Sequence, residues 1–174
     1  MKRSGATNPI ESSMDPLARL VAIQEISDLI GRYCMLFDDE DWAGLDELWT
    51  DDAAFVVEDQ AFETRVVLMD FLSHCLPPGY RTKHMISRPV VELGEDGKTA
   101  RARTDVVWIA ANFENTILGR YEDELVRDER GWRFLRRVEH PVQYIPGPPP
   151  MSDAANDVSG ATMCADETPT APQS

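Results

Sequence analysis

A long stretch of helical periodicity near the start of the chain constrains the fold more than any other feature. Asp15 and Pro16 form a helix-start signal, an N-cap side chain followed by proline at the first helical position. Apolar side chains then recur at helical spacing over roughly six turns: Leu17, Leu20, Val21, Ile23, Ile26, Leu29, Ile30, Tyr33 and Phe37. This spacing predicts a helix over residues 15–38, and an amphipathic helix of that length needs an apolar surface to cover.

Two shorter helices and a series of strands are predicted after this helix. Apolar stripes predict helices over residues 41–49 and 64–75. Runs rich in β-branched and aromatic residues, separated by turn-forming sequences, predict strands over residues 53–57, 82–93, 99–112, 117–128 and 132–144. Because the long strands follow one another through short turns, we expect an antiparallel meander. Helices followed by strands predict an α+β fold, in which the long helix lies across a strongly curved, mainly antiparallel sheet.

The length and composition of the chain fit one domain. It has 174 residues, of which 43% are hydrophobic, and this is enough for a core. We expect that domain to span residues 15–145. Residues 1–14 carry no periodicity, and residues 146–174 are rich in Pro, Ser, Thr, Ala and Asp. These compositions predict a disordered N-terminus and a flexible, proline-rich tail.

Charge and cysteine content exclude several classes of function. The chain has 31 acidic and 17 basic residues and a net charge of −14, so we expect neither a nucleic-acid nor a membrane partner. The three cysteines Cys34, Cys75 and Cys164 show no close pair, which argues against a disulfide framework or a zinc cluster and favours the cytoplasm. No segment has the apolar run of a secretory signal or of a membrane span.

Three ionisable residues are candidates for chemistry because of their positions. Asp38 ends the predicted long helix, where a carboxylate meets the negative end of the helix dipole unless another contact stabilises it. His84 lies near the start of a predicted strand, and an imidazole oriented by a carboxylate can transfer protons near neutral pH. Asp105 lies within a predicted central strand, so it faces a pocket or pairs with Arg103 on the same strand face. Each also has a purely structural interpretation, as a turn carboxylate, a sheet-edge histidine and half of an ion pair.

Several segments of the chain resemble one protein family. RYCMLFDDEDWAGL at 32–45, followed by LWTDDA at 48–53, resembles the first-helix signature of SnoaL-like proteins of the nuclear-transport-factor-2-like superfamily. Shorter segments are similar to later parts of such proteins: KHMIS at 83–87, GRYEDE at 119–124 and GWR at 131–133. The resemblance implies a cone-shaped α+β domain that encloses one pocket, and a homodimer formed through the open face of its sheet.

The resemblance also implies roles for individual residues. Asp38 matches the position where dehydratases of this superfamily carry their catalytic aspartate, and His84 matches the histidine that pairs with it. Tyr33, five residues before Asp38, matches a tyrosine that holds a substrate oxygen in bile-acid dehydratases, although its helical spacing also fits a core position. Further side chains are candidates for the pocket wall or the core: Trp49, Phe55, Met85, Trp108 and Tyr121.

The leading functional hypothesis is a cofactor-free dehydratase or cyclase that acts on a polyketide-like or other hydroxylated small molecule, for example by pyran formation. Asp38 and His84 would move protons, and Asp105 would complete the pair or hold the substrate. If the two aspartates share an apolar cavity, one is expected to have a raised pKa and to act as an acid. We expect no cofactor and no metal, because the chain has no nucleotide-binding glycine loop, no nucleophile elbow and no His-Glu-x-x-His motif.

Three alternatives stay open at the level of sequence. Arg103 and Asp105 resemble the Arg-x-Asp segment of limonene-type epoxide hydrolases, but the last strand offers Arg137 and Glu139 where that family has a second aspartate. The segment RTKHMIS at 81–87 also resembles non-catalytic β subunits of ring-hydroxylating dioxygenases. The third alternative is a protein that binds a small ligand without converting it.

Overall fold

The long first helix predicted from the sequence is present as α1, Pro16–Asp38, in the computed structural model, which describes residues 14–110 and 115–147. The Asp15 side chain accepts a hydrogen bond from the backbone N–H of Ala18 at 3.0 Å, so the helix begins at the predicted cap. Two shorter helices follow, α2 at Trp42–Asp46 and α3 at Arg65–His74. No helix in the described ranges has both the length and the hydropathy to cross a membrane.

Within residues 14–110 and 115–147, the strands form one curved sheet of seven strands. They are β1 Trp49–Val57, β2 Gln60–Glu63, β3 Thr82–Ile86, β4 Val90–Leu93, β5 Thr99–Ala110, β6 Asn115–Asp128 and β7 Gly131–Pro146. Their order is β2-β1-β7-β6-β5-β3, and β4 also pairs with β5. All pairs are antiparallel except β1 with β7. The predicted α+β class with a mainly antiparallel sheet is therefore confirmed.

Two predicted element boundaries are wrong for identifiable reasons. The single strand predicted over 82–93 is divided into β3 and β4, because the chain leaves the ladder before Pro89, which has no backbone N–H to donate. The helix predicted over 41–49 ends at Asp46, and Trp49 instead begins β1. The backbone N–H of Phe134 donates to the Leu48 carbonyl at 2.9 Å and draws this segment into the sheet.

The meander prediction holds for only part of the sheet. Strands β5, β6 and β7 follow one another antiparallel, as expected, whereas β1 lies parallel to β7 and so joins the beginning of the sheet to its end. The short strand β2 was not predicted. The predicted disordered N-terminus and proline-rich tail fall almost entirely outside the described residues.

The two faces of the sheet differ in burial. Along β5, Ala100, Ala102 and Thr104 are buried on the inner face, which α1 covers, whereas Arg101 and Arg103 are exposed on the outer face. The inner face and α1 share an aromatic core that includes Tyr33, Trp49, Phe55 and Phe134. Because the outer face carries no helix among the described residues, any pocket between helix and sheet lies on the inner side.

The outer face leads to a prediction about assembly. Met85 on β3 and Val142 on β7 are 61% and 76% exposed, beside a shallow groove that also contains Leu118. Because clustered exposed apolar side chains indicate a contact surface, we expect a homodimer through this face. Light scattering should then report about twice the 19.6 kDa chain mass, and the Val142→Glu variant should report a monomer.

The matched control for this assembly test is Val66→Glu. Val66 is 79% exposed on α3, away from the outer face, so this substitution should leave the dimer intact. A wild-type protein that elutes and scatters as a monomer would rule out the predicted dimer.

Candidate active site

The Asp38 carboxylate lies at the last residue of α1 and is held by β3. The hydroxyl of Thr82 donates to its Oδ1 at 2.9 Å, and the backbone N–H of His84 donates to its Oδ2 at 2.9 Å. The Lys83 ammonium lies 3.5 Å from Oδ2. These contacts provide the stabilisation that a carboxylate needs at the negative end of a helix dipole. Asp38 therefore joins the end of the helix to the sheet.

The His84 imidazole completes this contact. Its Nδ1 lies 2.7 Å from Asp38 Oδ1, and both side chains are only 3% exposed. Burial by itself raises the pKa of Asp38, but hydrogen bonds from His84 and Thr82 outweigh burial and hold that pKa below its usual range. An ionised carboxylate only accepts hydrogen bonds, so Nδ1 donates to it. Nε2 is then the ring nitrogen that can accept a proton.

A cavity of about 170 Å³ adjoins His84, between the sheet and helices α1 and α3. Its walls are mainly aromatic: Tyr33, Phe37, Phe55, Phe71, Trp108 and Tyr121. The rings of Tyr33 and Phe37 also lie nearly perpendicular to the imidazole, with ring centroids 6.4 Å and 5.3 Å away. A neighbouring cavity of about 200 Å³ shares Phe37, Leu72 and Leu76. The arrangement is an apolar cavity with a carboxylate-oriented histidine in its wall.

Glu139 brings a second carboxyl group to the same cavity. It lies on β7, is largely buried, and lines the cavity with His84. Burial raises the pKa of Glu139, the charges of His84 and Arg137 lower it, and the nearby Glu58 carboxylate raises it, with a net upward shift. Glu139 thus favours its protonated form more than an exposed glutamate does.

Arg137 lies next to the cavity as a completely buried cation. Its Nε and Nη2 donate to the two carboxylate oxygens of Asp123 at 2.7 Å and 2.9 Å. The guanidinium carbon lies 4.1 Å from the ring centroids of both Tyr33 and Tyr121 and 4.3 Å from that of Phe134. Burial alone lowers the pKa of Arg137, but the Asp123 carboxylate raises it, so the guanidinium stays charged. This pair fixes two tyrosines of the cavity wall from behind.

The structure brings some of the predicted site residues together and separates others. Asp38, His84, Tyr33, Trp108, Tyr121 and Phe55 lie at or beside the cavity. Trp49 is completely buried in the core behind Tyr33 and does not line the cavity. Met85 is exposed on the outer face of the sheet. Within the described ranges, no group of three or more His, Cys, Asp or Glu side chains could hold a metal ion.

The expected position of Asp105 is wrong. Its side chain points to the outer face, is 63% exposed, and pairs at 2.8 Å with Arg120 of the adjacent strand. Arg103, its expected partner, lies near Glu92 instead, at 3.7 Å. The physical reason is strand alternation: the inner face of β5 takes the even-numbered residues 100–106. Asp105 therefore cannot share a cavity with Asp38.

The comparison with known families decides the classification of this domain. A family model described as a SnoaL-like domain matches residues 18–138, which is most of the chain. The chain belongs to the SnoaL-like family. No curated protein matches the sequence.

Several solved structures with different names share this fold. A type 2 hexachlorocyclohexane dehydrochlorinase, LinA, is 21% identical with a TM-score of 0.69, over 79% of this chain and 100% of that chain. A protein from Novosphingobium aromaticivorans, provisionally assigned as a scytalone dehydratase, is 18% identical with a TM-score of 0.68, over 76% and 91%. ActVI-ORFA from Streptomyces coelicolor is 21% identical with a TM-score of 0.57, over 68% and 96%. At these identities the likeness establishes the fold alone.

Sequence reasoning missed three polar residues near the cavity of this SnoaL-like protein. Thr82 was not singled out, although a hydroxyl two residues before His84 on the same strand face could have been noticed. Glu139 and Arg137 were noted only as a departure from the epoxide hydrolase pattern. A bulge in β7 turns both of them inward. It lies between Phe134 and Arg136, which pair with the adjacent residues Leu125 and Glu124 of β6.

The buried ion pair gives a prediction about stability. In Asp123→Asn the Arg137 guanidinium keeps its burial but loses its counter-charge, so the free energy of unfolding should fall by about 3–5 kcal/mol. Denaturant unfolding of both proteins measures this difference. The matched control is Asp105→Asn, which breaks the exposed pair with Arg120 and should cost at most about 1 kcal/mol. Equal effects of the two substitutions would contradict the structural role of Asp123.

Proposed function

We propose that this SnoaL-like protein is an acid–base lyase or cyclase that removes water from, or closes a ring in, a small hydroxylated organic molecule without a cofactor. The observation that supports this most directly is the 2.7 Å contact of His84 Nδ1 with Asp38, beside a cavity lined by aromatic rings. The dehydrochlorinase and the provisionally assigned scytalone dehydratase with the same fold carry names of elimination enzymes. A cavity of this kind is a binding site for an apolar skeleton with a few polar groups.

In the proposed mechanism His84 is the base and Asp38 orients it. Neutral His84 carries its proton on Nδ1, which donates a hydrogen bond to the Asp38 carboxylate, and it presents Nε2 to the cavity. Nε2 takes a proton from a carbon next to an electron-withdrawing group of the substrate, or from a hydroxyl that then closes a ring. The Asp38 carboxylate stabilises the imidazolium that results. Its lowered pKa keeps it ionised for this role.

The size and lining of the cavity suggest the class of substrate. Its volume of about 170 Å³ lies below the roughly 300–1,000 Å³ of most ligand pockets, so it suits a small ring system. A larger polyketide-like skeleton would also need the adjoining cavity beyond Phe37 and Leu76. Tyr33 and Tyr121 line the main cavity, where their phenol groups could hold a substrate oxygen. Because burial raises the pKa of both phenols, they act as neutral hydrogen-bonding groups.

The epoxide hydrolase alternative loses support from the geometry. That chemistry was considered because of Arg103 and Asp105, and both side chains lie on the outer face of the sheet. In a non-catalytic subunit or a simple ligand-binding protein, the contact between Asp38 and His84 would only join α1 to the sheet, and the variant below separates these possibilities from an enzyme.

Replacement of Asp38 tests the proposed function. Asp38→Asn keeps the shape of the side chain but removes the charge that stabilises the imidazolium, so kcat/KM should fall by roughly 10²–10⁴-fold. A substrate is first found by mass spectrometry, from a panel of one- and two-ring hydroxyketones and hexachlorocyclohexane, through the loss of water or of hydrogen chloride. Circular dichroism checks that the variant is folded.

The matched control for this test is Asp105→Asn. It removes a carboxylate of the same type from the outer face and should leave kcat/KM unchanged. Full activity of Asp38→Asn would refute the mechanism, and the binding of panel compounds without turnover by the wild type would favour a ligand-binding protein.

A further inference from the structure

We propose that Glu139 is the general acid of this site, which protonates a leaving hydroxyl group while His84 accepts a proton from the substrate. This inference rests on the proposed function and adds a second proton-transfer group to it. It also narrows the class of substrate to molecules whose leaving group needs a proton, which are alcohols rather than halides.

The sheet curvature brings Glu139 and His84 to one cavity. His84 lies on the edge strand β3 and Glu139 on β7, with β5 and β6 between them. In a flat sheet, three steps of about 4.8 Å would separate the two strands. Here both side chains line the same cavity of about 170 Å³, together with Trp108 of β5 and Tyr121 of β6. A molecule that fills so small a cavity contacts both groups.

The surroundings of Glu139 favour a proton donor over an ion-pair partner. The described residues make no hydrogen bond or salt bridge to its carboxyl group, whereas the buried Arg137 already has the Asp123 carboxylate as its partner. The ionisable groups that interact with Glu139 come from all the elements around it: His84, Arg137, Glu58, Tyr33, Tyr121, Cys75 and Tyr144. Burial and Glu58 raise its pKa and outweigh the opposing charges of His84 and Arg137.

The proposed step conserves atoms and charge. His84 Nε2 removes the proton from carbon, the C–H electron pair forms a carbon–carbon double bond, and the C–O bond breaks. The Glu139 proton moves to the departing oxygen, so water leaves instead of hydroxide. The products are the alkene, water, a Glu139 carboxylate and a His84 imidazolium. Return of the proton from His84 to Glu139 through water restores the enzyme.

The leaving group provides the sharpest test. Chloride leaves as an anion without a proton, whereas a hydroxyl group leaves as water after it accepts one. The probes are a bicyclic β-hydroxyketone and its β-chloro analogue, which lose water and hydrogen chloride to give the same enone. Glu139→Gln should lower kcat for the hydroxyketone by roughly 10²–10⁴-fold and for the chloroketone by less than about tenfold. Asp38→Asn should lower both. Glu139→Asp, which keeps the acid, should restore part of the dehydration.

The pH dependence has a defined sign. Glu139 works in its protonated form, so dehydration should be lost as the pH rises through the raised pKa of Glu139. Elimination of hydrogen chloride should not show this alkaline limb. Glu58→Gln removes a negative charge that raises this pKa, so the alkaline limb should move to lower pH. Glu124→Gln, on the exposed outer face of β6, is the matched control and should leave the pH profile unchanged.

A measurement without substrate separates this inference from the proposed function. In protein labelled with carbon-13 at the glutamate carboxyls, one NMR signal should titrate clearly above the usual glutamate pKa of about 4.3 and be missing in Glu139→Gln. A normal titration of Glu139, or an equal loss of activity on both probes, would overturn its role as the acid. Failure of Asp38→Asn to affect either probe would instead overturn the proposed function.

Discussion

The hydrogen-bonded contact of Asp38 with β3 is the interaction on which the rest of the structure depends. A carboxylate at a helix C-terminus is electrostatically unfavourable, and here three donors from Thr82 and His84 compensate for this. The same contacts fix the angle at which α1 meets the edge of the sheet and hold the imidazole in one orientation. The group that orients the proposed base therefore also joins the two layers of the domain, which links the architecture to the chemistry.

A second buried charge supports the opposite side of the cavity. The Arg137 guanidinium is paired with Asp123 and lies against the rings of Tyr33 on α1 and Tyr121 on β6. One cation therefore contacts two side chains of the cavity wall from behind. Apolar side chains of similar volume could fill the same space without the cost of burying charge. The pair instead holds both tyrosine rings at a fixed distance from β7, which bears Glu139. The cavity thus has polar groups positioned from two directions, by the hydrogen bonds of Asp38 on one side and by the ion pair of Arg137 with Asp123 on the other.

The sequence predicted the main architecture because the signals for it are local. The Asp15-Pro16 cap and the apolar spacing place α1, and the family resemblance selects Asp38 and His84, whose catalytic roles stay predictions. The sequence does not reveal that a bulge in β7 turns Arg137 and Glu139 inward, since strict alternation from Phe134 would turn residues 136 and 138 inward instead. Asp105 was misplaced because a charge within an apolar strand indicates a special position but not which face it occupies.

The buried charges around the cavity bear on the proposed role of His84 as a base. Asp38 and Asp123 are two buried carboxylates and Arg137 is one buried guanidinium, so these three side chains leave one negative charge in excess, and the Lys83 ammonium near Asp38 is 64% exposed to solvent. In the proposed mechanism, a proton that His84 accepts places a positive charge next to the Asp38 carboxylate, 2.7 Å from Nδ1, where little water is present to weaken their attraction. An ionised Glu139 would double the excess in the resting protein, which is a further reason for that carboxyl to hold its proton. The buried charges therefore fit the proposed pair of roles, in which His84 accepts a proton beside the Asp38 carboxylate and Glu139, whose pKa is raised by burial, donates one.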